Sequence, residues 1–206
     1  MVKGRTVFII PGFRQNPKSN SYKRVTKLFA EEGFQVISIE IKWKNKTISQ
    51  TVEDFIKIYR SFKTQEKYIL GFSYGAMIAF IAGTKVKSDG LILCSLSPFF
   101  SEDLKTNRSR SLIMRKRYKD FSKLRAEFLS KKLKTKKVLM LYGTYEAASL
   151  IKRVKKTFEQ IEIDKTLIKI KSDHEIGNQR YINTIQKIST SFNKYLTPAQ
   201  SGLTRQ

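Results

Sequence analysis

The chain of 206 residues is poor in several things at once. It has one cysteine, one histidine, 17 acidic residues against 41 basic ones, and no apolar run close to the length of a membrane span. The lone cysteine, Cys94, can form no intramolecular disulfide. Its place inside the apolar run Leu91-Ile92-Leu93-Cys94-Ser95-Leu96 marks it as a buried structural thiol, and nothing calls for an oxidising compartment. A single histidine and a single cysteine in separate predicted elements give no His/Cys cluster, so no metal is expected. A bilayer span needs roughly 20 apolar residues. The first apolar stretch here, residues 7–10, stops at Pro11-Gly12, too short for the core of a signal peptide, and the expectation is a cytoplasmic protein. The glycines spell neither G-x-G-x-x-G nor a Gly-Lys-Ser/Thr ending, so no cofactor is expected.

The shortage of acid leaves a formal net charge of +24. A field of that sign attracts nucleic acid, anionic lipid or phosphorylated small molecules. A lysine-rich solvated surface accounts for the same number without selecting any partner, because net charge governs encounter and solubility rather than chemistry.

What is present is an alternation. Short apolar runs rich in β-branched residues fall at 6–10, 36–41, 68–70, 91–96, 138–142 and 166–170. Near-continuous hydrophobicity of this kind suits parallel strands covered on both faces. Between the runs lie helix-like stretches at 22–32, 51–64, 74–84, 111–133, 147–160 and 181–195. In the second of these Val52, Phe55, Ile56 and Tyr59 recur at helical spacing. Strand-helix alternation throughout predicts an α/β fold, a doubly wound, mostly parallel six-stranded sheet with helices on both faces. Residues 1–196 read as one domain and 197–206 as a flexible tail, with no internal repeat or linker. One connection is enlarged. Residues 101–137 carry fourteen basic and four acidic residues, with Met114, Tyr118, Phe121, Leu124 and Phe128 at helical spacing, and read as a basic crossover helix or a small lid.

The densest signal is Tyr68-Ile69-Leu70-Gly71-Phe72-Ser73-Tyr74-Gly75-Ala76-Met77. A serine between two glycines, where a strand becomes a helix, fits a turn so sharp that only glycine is tolerated at Gly71 and Gly75 while the hydroxyl is thrust outward. Ligands of open α/β sheets bind beyond the carboxyl ends of the strands, where Ser73 falls. A neutral serine needs a base within hydrogen-bond reach. The single histidine, His174, follows the last predicted strand. The base in turn needs a carboxylate to fix its tautomer. Glu146, just past the strand at 138–142, ranks first, with Asp173, Glu102 and Asp103 as rivals. A developing oxyanion needs preorganised N–H donors. Tyr74 would supply one, and the loop Pro11-Gly12-Phe13-Arg14 the other, from Phe13 or Arg14, with Gly12 permitting the turn.

This set resembles the α/β-hydrolase superfamily: Pro11-Gly12-Phe13 after the first strand, Gly71-Phe72-Ser73-Tyr74-Gly75, Glu146, then His174, in the order Ser, Glu, His. The resemblance spans roughly residues 6–195. It implies a serine hydrolase acting on an ester, thioester or amide through an acyl-enzyme, with the backbone N–H groups of Phe13 and Tyr74 as the oxyanion hole. Two departures stand out. No His-Gly precedes the oxyanion loop, and the chain opens directly on the strand before that loop, which implies a minimal six-stranded version. The family also holds lyases, peroxidases and inactive binders, so fold does not fix reaction.

The expected partner is a small acyl substrate, with an anionic one favoured if Arg14 faces the site rather than solvent. A second reading makes the chain a catalytically idle binder of nucleic acid or another polyanion. It rests on Tyr118 and Phe121 interleaved with cations in the basic stretch at 107–125. A third has that stretch dock on an anionic membrane surface. The sequence assigns no oligomeric state.

Overall fold

The computed structural model describes residues 2–44, 46–104 and 112–190. In chain order the elements are β1 (Val2–Ile10), α1 (Asn20–Glu31), β2 (Phe34–Ser38), α2 (Ile48–Ser61), β3 (Thr64–Phe72), α3 (Tyr74–Gly83) and β4 (Gly90–Cys94). They continue with α4 (Ser101–Leu104), α5 (Leu112–Phe121), α6 (Ala126–Ser130), β5 (Lys137–Gly143), α7 (Ala148–Gln160), β6 (Asp164–Ile170) and α8 (Gln179–Thr190).

The six strands form one sheet in the order β2-β1-β3-β4-β5-β6, and every neighbouring pair is parallel. Both faces are covered, which the apolar runs of the central strands require: every residue of β4 and β5 is buried. Val7, Ile9, Leu70, Phe72, Ile92, Cys94, Leu139 and Leu141 pack with α1 and α8 on one side. The intervening residues Phe8, Ile10, Ile69, Leu91, Leu93, Val138 and Met140 pack with α2, α3 and α7 on the other. The side-chain period of two thus divides one apolar run between two cores. Cys94 is buried and unpaired, as its run suggested. Helix α3 has no polar face, and all ten of its residues are buried, because it lies between the sheet and α2. Helix α2 starts in a capping box, the Thr47 side chain accepting from the Gln50 N–H and the Gln50 side chain accepting from the Thr47 N–H.

The strand order reverses between β1 and β3. The chain leaves β1 to one side for β2, then returns to lay β3 on the other. The crevice outside the carboxyl ends of these two strands is the topological switch point, and Pro11–Arg14 and Ser73 sit at it.

Several boundaries differ from the sequence expectations. Strand β3 starts at Thr64 rather than 68, because β1 extends back to Val2 and pairs with it there, in the register Val2↔Thr64 and Arg5↔Glu66. The helix expected over 51–64 therefore ends at Ser61. Strand β2 stops at Ser38, although the Ile39 N–H still donates to the Ile9 carbonyl at 2.9 Å. The single helix expected over 111–133 is two. Helix α5 ends at Phe121, whose ring is wholly buried, and the chain then turns so that the Leu124 carbonyl accepts from the Ser101 N–H at 2.7 Å before α6 begins. The far end of the last helix and the tail at 197–206 lie outside the described residues. Among the described residues no helix is long and apolar enough to cross a membrane.

Candidate active site

Ser73 joins β3 to α3 with φ 56° and ψ −117°, a left-handed backbone that an L residue holds only under constraint. The constraint is visible on both sides. The Ser73 N–H donates to the Cys94 carbonyl at 2.8 Å, and the Ser73 carbonyl accepts from the Ala76 N–H at 3.0 Å. The flanking glycines are sterically required. A Cβ on Gly71 would lie 2.3 Å from the Gly75 carbonyl oxygen, and one on Gly75 would lie 2.2 Å from that of Ile10. The hydroxyl is consequently held at the carboxyl edge of the sheet.

His174 comes from the loop after β6. Its Nε2 is 2.8 Å from Ser73 Oγ, and its Nδ1 is 3.4 Å from Glu146 Oε1, a long contact for an N–H···O bond. The ring rests on Phe72, with centroids 5.0 Å apart. A tautomer with the proton on Nδ1, facing the carboxylate, leaves Nε2 to accept from the serine. Glu146 follows β5, and its side chain is wholly buried. The loops after β5 and β6 approach this closely because residue 143 is glycine: a Cβ there would lie 2.3 Å from the Ser172 carbonyl oxygen. Two backbone bonds tie the loops together, Thr144 N–H to the Ile170 carbonyl at 2.8 Å and Tyr145 N–H to the Ser172 carbonyl at 3.0 Å.

The rival carboxylates are engaged elsewhere. Asp173 accepts from the Asn178 side-chain amide at 3.2 Å. Asp103 forms a two-pronged pair with Arg153, at 2.6 to 3.0 Å. Glu102 accepts from the N–H groups of Ala126 and Glu127. Burial works against the Glu102 charge, but backbone N–H groups and Arg153 outweigh it and hold its carboxyl below the usual glutamate value.

The loop after β1 is a turn closed by Gln15 N–H to the Gly12 carbonyl at 3.1 Å, with Arg14 at φ 58°. The Gly12 N–H donates to the Gln15 side chain at 3.0 Å and the Tyr22 hydroxyl at 2.9 Å. Inside that turn is the Phe13 N–H, and at the start of α3 the Tyr74 N–H. Among the described residues neither has an acceptor.

No protein-family model matches the chain, and no curated protein matches it. Solved structures do. A ferulic-acid-bound Est1E from Butyrivibrio proteoclasticus is 15% identical with a TM-score of 0.78, covering 94% of this chain and 90% of its own. Mouse alpha/beta hydrolase domain-containing protein 10 is 16% identical with a TM-score of 0.73, covering 94% and 92%. A Paleococcus ferrophilus monoacylglycerol lipase is 15% identical with a TM-score of 0.73, covering 94% and 97%. The fold is that of the α/β hydrolases. At such identities the likeness establishes the fold and leaves the chemistry to the residues.

Within this α/β-hydrolase fold a cavity of about 380 Å³ opens over Ser73 and His174, walled by Phe13, Tyr74, Pro98, Phe99 and Leu150. The Phe13 ring is wedged against Trp43 and Tyr74, at 5.0 and 5.7 Å, which fixes the turn that carries its N–H. Arg117 of α5 lies over the outer face of that ring and donates to the carbonyls of Trp43 and Lys46. Arg14 is exposed, with its guanidinium over the Phe13 ring, and does not line the cavity.

Three residues of the site, Ser95, Tyr181 and Ser97, escaped sequence reasoning. Ser95, just past β4, has φ 54°, its N–H bonded to the Leu141 carbonyl at 2.7 Å. Its Oγ lies 2.5 Å from Glu146 Oε1 and 2.6 Å from the Tyr181 hydroxyl of α8. Burial, with the nearby Cys94 and Glu146, pushes the Tyr181 phenol well above its usual value, so it stays a donor. A relay of O–H groups, Tyr181 to Ser95 to Glu146, thus anchors the carboxylate behind His174. The one trace in the sequence is a serine ending an otherwise apolar strand. Ser97 Oγ, also unforeseen, is 3.2 Å from Ser73 Oγ.

The apolar stripe expected in the basic segment is only partly a core stripe. Phe121 is wholly buried, whereas Tyr118 is 52% and Phe128 56% exposed. Met114, Arg108, Arg110, Arg115 and Lys116 fall where side chains are not described.

Proposed function

We propose that the chain is a serine hydrolase that cleaves an ester, thioester or amide through an acyl-enzyme, with Ser73, His174 and Glu146 as its triad. The observation that carries this reading is the 2.8 Å contact between Ser73 Oγ and His174 Nε2, made at the switch point of the sheet by a serine in a strained turn. In the forward step Ser73 Oγ attacks the carbonyl carbon as its proton passes to His174 Nε2. Glu146 holds the imidazole in the required tautomer and balances the imidazolium. The oxyanion that forms is received by the N–H groups of Phe13 and Tyr74. Collapse expels the alcohol, thiol or amine, which takes the proton from His174. Water then attacks the acyl-serine, His174 again removing the proton, and the acid leaves with Ser73 restored.

The apolar walls and modest volume of the cavity favour a short or aromatic acyl group. Structural neighbours include an esterase with ferulic acid bound and a monoacylglycerol lipase, which is consistent with ester substrates. Steady-state hydrolysis of 4-nitrophenyl esters and matched thioesters by the wild type and Ser73→Ala tests the reading. Turnover by the wild type and none by a folded Ser73→Ala is the expected result. Equal activity in both would refute it.

The polyanion-binding reading has less support. It needs aromatics offered to bases, and with Phe121 turned into the core and Arg117 committed to backbone carbonyls, Tyr118 stands without its neighbour.

A further inference from the structure

Beside the cavity over Ser73 lies a second one of about 300 Å³, and Pro98 and Ser149 line both. Its character is different: Lys152, Arg153 and Lys156 of α7 face it, together with Glu102 and Asp103. The first turn of α7 forms the partition between the two. That helix runs for 13 residues, has no side-chain cap at Ala147 and carries no acidic residue in its first turn. Of its leading N–H groups, Leu150 and Ile151 donate to the Ala147 carbonyl at 2.9 and 3.1 Å, which leaves those of Ala148 and Ser149 without an acceptor among the described residues, at the positive end of the helix dipole.

A second, independent feature points to a ligand. Arg153 is only 3% exposed, and its Nε and Nη2 are engaged by Asp103. Its Nη1 is buried with no partner among the described residues. A guanidinium N–H without an acceptor is rare in a protein interior and marks a place where an oxygen belongs. Lys152 and Lys156, one turn apart on the same helix, are in no ion pair among the described residues. The two carboxylates in the cavity are already matched, Asp103 by Arg153 and by the Phe100 N–H at 3.1 Å, Glu102 by Ser101 Oγ and two N–H groups of α6. Among the described residues, two lysines thus remain without an ion pair and one guanidinium N–H without an acceptor.

We propose that this cavity is an anion subsite, and that the substrate of Ser73 carries a carboxylate or phosphate on one side of its scissile bond. The proposal rests on the hydrolase reading for its link to catalysis. The anion sits in this cavity against Lys152 and Lys156 of α7, leaving the carbonyl in the neighbouring cavity. The high net charge then has a local use, since a positive field concentrates such a substrate before the subsite holds it.

The test is a pair of esters of equal chain length, the 4-nitrophenyl monoester of glutaric acid and 4-nitrophenyl pentanoate, which differ in a terminal carboxylate. The wild type is expected to favour the charged ester in kcat/KM by about tenfold. Lys152→Gln with Lys156→Gln should erase that ratio, chiefly through KM. Lys23→Gln with Lys27→Gln, the same loss of charge on α1 across the sheet, should preserve it. A wild-type ratio near one, or equal erosion by both pairs, would overturn the proposal. Calorimetric titration of Ser73→Ala with inorganic phosphate reads the subsite without chemistry. Binding weakened by the α7 pair but not by the α1 pair supports the subsite even if no ester is cleaved, and in that case the hydrolase reading alone fails. Cleavage of both esters without preference would leave the hydrolase reading standing and remove the subsite.

Discussion

The carboxyl edge of β3, β4 and β5 and the segment that crosses from β4 to β5 lie side by side and are built on opposite principles. At the strand ends the backbone is forced. Ser73 and Ser95 both have positive φ, each pinned by an N–H bond to the neighbouring strand, and Gly71, Gly75 and Gly143 stand where no Cβ fits. The crossing segment is instead attached at points: Phe121 in the core, Asp120 on Ser49, Arg117 on two carbonyls, and Asp103 on Arg153. Between those points it shows Tyr118, Phe128 and lysines to solvent. Geometry that must hold to a fraction of an ångström rests on the sheet, where strained conformations are over-determined by the ladder. The cavity over Ser73 is walled in part by Pro98 and Phe99 at the start of the crossing and by Ser149 and Leu150 of α7.

Substitutions can break that contrast, the most severe first. Ser73→Ala should lower kcat/KM by about ten-thousandfold or more while leaving the melting temperature almost unchanged, because the hydroxyl serves chemistry rather than packing. Gly75→Ala should cost at least about 3 kcal/mol in urea unfolding, since the added Cβ meets the backbone carbonyls of Ile10 and Pro11 rather than movable side chains. Phe121→Ala should cost about 3 kcal/mol by removing a fully buried ring stacked on Phe99, a loss of the crossing's main anchor. Ser95→Ala should lower kcat by about tenfold to a hundredfold with KM little changed, as Glu146 loses its fixed donor and His174 its orientation. Tyr118→Ala, on the exposed face of the same crossing, should stay within about 0.5 kcal/mol of the wild type. Equal costs for Phe121 and Tyr118 would mean that the crossing is not anchored as described.

Much of the strand edge was legible in the sequence, because its demands fall on residue identity. Only glycine serves at 71 and 75, and a lone histidine and a glutamate past successive strands had to meet near Ser73 once the sheet was parallel. The six strands followed from runs without a polar face. What stayed hidden depends on distance in space. Ser95 reaches Glu146 across 51 residues and Tyr181 across 86, and no local pattern marks either. The break between α5 and α6 carries no glycine or proline, and it is set by Leu124 turning to meet Ser101. The polar starts of β1 and β3 look like loop until each is seen to pair with the other.

The central claim is that Ser73 is an activated nucleophile. Its most direct test is labelling of the purified protein with a fluorescent fluorophosphonate, beside Ser73→Ala and His174→Ala, with the adduct located by peptide mass. The account predicts a single adduct on Ser73 in the wild type and none in either folded variant. Undiminished labelling of His174→Ala, or a folded wild type that hydrolyses no ester and takes no label, would contradict it.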